Sequence, residues 1–321
     1  MRGIWVRLAI AGGLLVVAFI AVFTILNQTV YTPAGFIRNY LDALARHDVA
    51  AALAMAGPTP TSSAHDDFLV PDLLGELESF SVAETDADGD VHTVAVEYRM
   101  DGREGRTTFR VEPAGAVLGI FPTWGFAASP LARLEITVAH ARDFTANGIR
   151  FVASVQDVPS TYLAFTPGVI AFGHDSTLLE APTQTIVLGS PRFERTVSID
   201  ARANAEFTAL VDEQVHAYLD DCAAQQRLFP VGCPFGQVIN DRLHSDPVWS
   251  ITAYPPVEIE PTPVPGEWRV PATSGAVRLQ AEVQSIADGE ILPFDAEMAF
   301  SVGFVVTFVG ANEIVVTPEL G

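Results

Sequence analysis

The longest unbroken apolar stretch of the chain covers residues 8–26 and contains no charge. As a helix it would extend about 28 Å, close to the roughly 30 Å hydrocarbon core of a bilayer. Arg2 and Arg7 precede it, and the first acidic residue beyond it is Asp42. That asymmetry puts the N-terminus in the cytoplasm and residues 27–321 outside the cell. A cleaved signal peptide would have a shorter apolar core and a small-x-small site, which residues 24–30 do not offer. The pattern thus predicts an uncleaved, single-pass signal-anchor, with cell membrane as its location and residues 1–30 as tail plus anchor.

The period then changes. Thr32 before Pro33 reads as an N-cap with proline at the first helical position. Ile37, Tyr40, Leu41 and Leu44 follow at helical spacing. Asp48 can cap a second short helix, stopped by Gly57 and Pro58. After a polar loop over residues 59–67, alternation predicts strands at 80–85, 91–98 and 106–111. Val94, Val96 and Tyr98 share one face of the second. Asp88-Gly89 and Asp101-Gly102 are hairpin turn signals.

Residues 131–190 are poor in helix signals. Short apolar runs at 134–138, 149–155, 162–165, 169–172 and 185–188 are separated by turn pairs such as Asn147-Gly148, which suggests a small all-β module. A long helix should follow, because Phe207, Leu210, Val211, Val215, Tyr218, Leu219 and Cys222 fall on one face. Further strands are expected at 248–254, 277–283 and 300–308. Pro255, Pro256, Pro261, Pro263 and Pro265 crowd the region between the first two, and read best as an edge strand ending in a Pro265-Gly266 turn.

The expected fold class is therefore α+β. A single transmembrane helix leads to an NTF2/cystatin-like unit of helices and antiparallel sheet (31–125). A small all-β module (126–195) and a second helix-plus-sheet unit (196–321) follow.

Thr32, Pro33, Phe36, Ile37, Tyr40, Leu41, Asp42, Ala43, Leu44, Asp48, Ala51, Ala52 and Leu53 form a pattern that resembles the opening helices of NTF2-like domains in bacterial envelope proteins. The succession of anchor, such a unit and small β modules resembles the ectodomains of TcaA-type membrane proteins. The resemblance covers residues 32–120 and implies an accessory or binding role in the envelope. It transfers no functional residue.

Composition narrows the chemistry. The chain has 321 residues with 39 acidic and 18 basic side chains, a net charge of −21. Nothing here could replace phosphate counterions, so nucleic acid is not an expected partner. Every basic residue is arginine, which removes lysine chemistry and matches the bias of a GC-rich genome; together with the envelope resemblance this implies a Gram-positive host. Apolar residues make up 49%, too many for a disordered chain.

Cys222 and Cys233 are the only cysteines. Outside a reducing cytosol their default is a disulfide, worth roughly 2.5–3 kcal/mol for a loop of that size. Glu84, Asp86, Asp88 and Asp90 surround Gly89 and suggest a calcium loop. However, the twelfth position of that alignment is Ala95, where a glutamate is required, so an acidic hairpin tip is the better reading. His174-Asp175-Ser176 has the letters of a catalytic triad, but neighbours in sequence do not supply triad geometry. No catalytic residue, metal ligand or cofactor is expected. The expected function is noncatalytic binding or scaffolding of an envelope protein or cell-wall partner, and the alternative is a ligand-binding or hydrolytic pocket in the NTF2-like unit.

Overall fold

The computed structural model describes residues 13–18, 20–21, 31–57, 64–117, 119, 121–310 and 312–320. From residue 31 the described chain begins with two helices, α1 (Pro33–Ala45) and α2 (Val49–Ala56). Thr32 Oγ1 accepts from Gly35 N at 2.9 Å and Asp48 Oδ1 from Ala51 N at 3.0 Å, so both expected caps are made. A meander follows: β1 (Leu77–Asp88), β2 (Val91–Met100), β3 (Arg103–Val117) and β4 (Phe121–Phe126), paired in that order. Ile37, Tyr40, Leu41 and Leu44 of α1 are buried in one core with Val94, Val96, Tyr98, Phe109 and Val111 of this sheet.

The middle of the chain has eight strands: β5 (Leu131–Ala139), β6 (Asp143–Ala146), β7 (Ile149–Val152), β8 (Ser160–Phe165), β9 (Gly168–Asp175), β10 (Leu179–Leu188), β11 (Glu194–Asp200) and β12 (Arg202–Ala203). They form one sheet in the order β12-β10-β9-β6-β7 and a second in the order β11-β5-β8. The β11–β5 pairing is parallel and sets Asp200 opposite Ala139.

The last part begins with α3 (Ala205–Ala223), capped by Asn204 Oδ1 accepting from Phe207 N at 3.0 Å. Strands β13 (Arg242–Leu243), β14 (Val248–Ala253), β15 (Glu260–Pro261), β16 (Glu267–Gln284), β17 (Ile291–Phe308) and β18 (Ile314–Glu319) make the final antiparallel sheet. Phe207, Val211, Val215, Leu219 and Cys222 form the buried stripe of α3. The proline-rich segment pairs with β16 only through the two-residue β15, and proline has no N–H to donate to a ladder.

Two expectations need correction. The chain is mostly β, with 50% strand and 18% helix, and its sheets curve into half-barrels, which overturns the α+β class. The strands outrun the alternation that announced them: β16 and β17 each run 18 residues, past polar positions and the interior glycines Gly275 and Gly303. Cross-strand backbone pairing holds those residues in the ladder where side-chain periodicity gives no sign of it.

The second correction concerns the anchor. Among the described residues no helix is long and apolar enough to cross a membrane, which overturns the single-pass signal-anchor over residues 8–26. The cell-membrane location and the outside placement of residues 27–321 drawn from it fall too. Of this run residues 13–18 and 20–21 are described, as helix, and residues 8–12, 19 and 22–26 lie outside the described ones. A charge-free run meets the hydropathy requirement, but a crossing also needs about 20 residues of continuous helix.

The segment after α2 joins the units. Phe68, 2% exposed, stacks on Tyr162 with ring centroids 4.5 Å apart and meets Phe151 edge-on at 5.0 Å. Phe68 and Leu73 belong to the core shared by the middle and last parts, whereas Leu69 and Leu77 belong to the core under α1. Tyr40 Oη of α1 also crosses over, donating to Thr166 O at 2.9 Å. Burial pushes that phenol far above its ordinary value, against a smaller opposing effect of the hydrogen bond.

Phe68→Ala is expected to cost about 3–5 kcal/mol in urea unfolding; a loss below 1 kcal/mol would mean that Phe68 does not anchor the joint. For Tyr40, the folded-state pKa lies above the unfolded value of about 10. Its contribution is therefore complete below that pH and lost as pH rises beyond it. Tyr40→Phe should cost about 1 kcal/mol at neutral pH and flatten the alkaline decline by up to about 1.4 kcal/mol per pH unit. Identical slopes for variant and parent between pH 9 and pH 11 would contradict this.

Candidate functional site

Three separate stretches of chain meet at one cleft. The first is the end of β5, where His140 takes a left-handed backbone conformation with φ 63°. Its N–H donates to Asp157 Oδ1 at 3.0 Å, and its Nδ1 lies 3.1 Å from Asp200 Oδ1. The parallel register of β5 and β11 delivers Asp200 there. The other oxygen of Asp200 accepts from Arg202 Nε at 3.0 Å and Nη2 at 2.8 Å. A carboxylate only accepts, so Nδ1 holds the proton and in the neutral ring Nε2 is left as an acceptor.

The second stretch is the β9–β10 connection. His174 is 4% exposed, with Nδ1 2.7 Å from Asp143 O and Nε2 3.0 Å from Ser176 Oγ. The carbonyl fixes the proton on Nδ1, so Nε2 of the neutral ring faces the hydroxyl as an acceptor. Ser176 Oγ also accepts from Leu179 N at 3.1 Å and lies 3.1 Å from Leu179 O. Its single proton can serve Nε2 or Leu179 O at any moment, but not both. Asp175 is exposed and does not orient the ring. The sequence neighbours thus form a histidine–serine contact without the acidic third member of a triad, and this contact fastens the corner of the β9–β10 hairpin.

The third stretch is the start of β16. Trp268, 2% exposed, meets His140 at 6.0 Å and Phe207 at 5.6 Å, both edge-on. With Phe308, Leu178 and Leu179 it supplies the apolar wall of a cleft of about 650 Å³, a size typical of small-ligand sites. Arg142, Arg150 and Asn312 reach it from the rim. Arg150 Nη1 lies 3.5 Å from Asp143 Oδ2, and Arg142 Nη2 donates to Ser154 O at 3.3 Å. The indole N–H of Trp124 donates to Tyr31 O and that of Trp249 to Arg227 O. That of Trp268 makes no hydrogen bond among the described residues, but it is not among their fully buried polar atoms, of which Thr107 Oγ1 alone lacks a partner.

No family model, curated protein or solved structure matches the chain. Any functional reading therefore rests on the geometry.

A second hollow, about 830 Å³, lies over the first sheet beside Ser79, Ser81, Glu97, Arg99, Glu104 and Arg106. These positions alternate with the core-facing Tyr98, and Arg99 already pairs with Glu104. It is an open, self-neutralised polar face. On the helix-facing side Tyr98 lies across Gly105, where a Cβ would sit 2.4 Å from the phenol ring.

Cys222 and Cys233 form the disulfide between the end of α3 and the following loop. Tyr218 Oη reinforces it by donating to Gly232 O at 2.6 Å. Asp88 pairs with Val91 across a hairpin turn with Gly89 at φ 62°. No group of three or more metal-ligating side chains occurs among the described residues. His140, Asp200, Arg142 and Trp268 were not identifiable from sequence as site residues. They come together through parallel pairing and through contacts between distant segments. Only the His174–Ser176 neighbours left a local signal.

Proposed function

We propose that the chain is a noncatalytic binding protein whose recognition site is the cleft between the β5–β6 and β9–β10 corners and the Trp268 end of the last sheet. The reading rests on one observation: an apolar wall and rim arginines from three distant segments converge on a volume in the small-ligand range. The small-ligand alternative is thereby assigned to this cleft, away from the unit of residues 31–125 in which the sequence suggested it. A crystal soaked with a fragment library should show ligands in this cleft. Thr177→Trp, at an exposed lining position, should abolish them; fragments that bind equally well to that variant would refute the assignment.

A protein or wall-component partner stands as a second reading, favoured by the loop after α3. Phe229, Val231 and Val238 there are 58%, 69% and 66% exposed. The loop is nevertheless held by the disulfide and by Val231 N donating to Gln225 Oε1 at 2.8 Å. Rigid exposed apolar groups lose little entropy when covered. Replacing Phe229 and Val231 by serine should weaken any partner captured by crosslinking in intact cells by about tenfold or more. An unchanged capture would exclude this loop as the contact.

A further inference from the structure

We infer that the free edge of β17 receives an extended segment of a partner protein as an added antiparallel strand, one in which arginine or lysine alternates with apolar residues. The inference stands apart from the cleft, whose lining includes no residue of this edge.

The edge follows from the register. β17 pairs with β16 along its length, from Ile291 opposite Gln284 to Thr307 opposite Glu267. On its other side β18 reaches only to Gly303, opposite Glu319. Residues 291–302 therefore have no strand beyond them among the described residues. Phe308 N donates to Gly266 O, and Glu290 O accepts from Ser285 N, both towards β16. Backbone groups alternate between the two sides of an antiparallel strand, so even-numbered residues bond β16 and odd-numbered ones face outward. Pro318 agrees with this count, because it has no N–H to donate and sits opposite even-numbered Phe304. The N–H groups of Asp295, Glu297, Ala299 and Ser301 thus form an open row along the edge. Such a row is a template for strand addition.

Side chains decide which strand fits. From Arg278 to Glu297 the hairpin carries five carboxylates against one guanidinium, which is already bound to Asp295 at 2.7 and 2.6 Å. The flanking residues 241–246 add Asp241 and Asp246 against Arg242. The other face of β17 is apolar: Leu292 is exposed, and Phe294 and Met298 are half-buried against the core. In an antiparallel ladder the residue opposite Glu297 shares its face and exchanges both backbone bonds with it. A two-residue repeat therefore sets basic side chains beside Asp295 and Glu297 and apolar ones over Phe294 and Met298. A second copy of the chain does not fit. Twofold pairing centred on Ala296 or Glu297, the middle of the open stretch, sets Asp295 opposite Glu297 or Glu297 opposite itself, and like charges directly opposite are destabilising.

The test uses the intact chain and fluorescent peptides of about nine residues, enough to cover the open edge. One alternates valine with arginine, the second alternates valine with glutamate, and the third is the first methylated at the backbone nitrogen of each arginine. In anisotropy titrations the first should bind about tenfold or more tightly than either of the others. Methylation keeps the charge and removes the ladder bonds, which separates strand addition from general attraction to an acidic protein. Ala299→Pro, at an exposed edge position, removes one outward N–H and should weaken the arginine peptide by about fivefold. Glu297→Arg should reduce its preference over the glutamate peptide by a similar factor, roughly fivefold. No saturable binding, equal binding of the methylated peptide, or affinities that neither variant changes would overturn the added strand. Equal binding of the arginine and glutamate peptides would overturn its basic character. A dimer of the free chain that Ala299→Pro dissolves would overturn the partner in favour of a second copy.

Discussion

The architecture depends on a short stretch of chain that is shared between two cores. Over residues 68–77 the side chains divide: Phe68 and Leu73 enter the core of the middle and last sheets, while Leu69 and Leu77 enter the core under α1. No residue of this stretch can slip without disturbing both cores, because a packed interior tolerates little change of volume. Around Phe68 the rings of Phe144, Phe151, Tyr162 and Phe172 close in from four strands. Edge-on and offset contacts of this kind add to the burial of the rings. The Tyr40–Thr166 hydrogen bond ties the same two parts a second time. The first sheet and the rest of the molecule are therefore coupled by packing.

The same coupling produces the cleft. The middle sheets are completed by a parallel pairing of β5 with β11, segments some sixty positions apart, and that pairing sets Asp200 beside His140. The turn of β9 into β10 is fixed by buried His174 and by Ser176. The last sheet brings Trp268 against both Phe207 and His140. The polar groups of the cleft are thus oriented by partners outside it, as preorganised recognition requires. Around the cleft the arginines Arg142, Arg150 and Arg202 are matched by the carboxylates of Asp143, Asp157 and Asp200.

Local physics was readable from the residues alone. Thr32, Pro33 and Asp48 announced where two helices begin, because their side chains satisfy the first N–H groups whatever lies beyond. The stripe from Phe207 to Cys222 announced the third helix. The two cysteines announced their bridge, since only one pairing was possible. The charge-free run at 8–26 was equally legible as hydropathy, yet among the described residues no helix is long and apolar enough to cross a membrane.

What the tertiary structure alone decided was the balance of the fold and the location of the site. Backbone ladders carried β16 and β17 through residues with no alternating signal, because cross-strand hydrogen bonds are indifferent to side-chain type. Parallel pairing between distant segments leaves no local trace, so neither the Asp200–His140 contact nor the packing of Trp268 against His140 could be read in advance. By itself the sequence determined caps, stripes, turns and a disulfide, all set by neighbours within a few residues. The cleft and its chemistry required contacts between residues more than a hundred positions apart, which only the folded chain brings together.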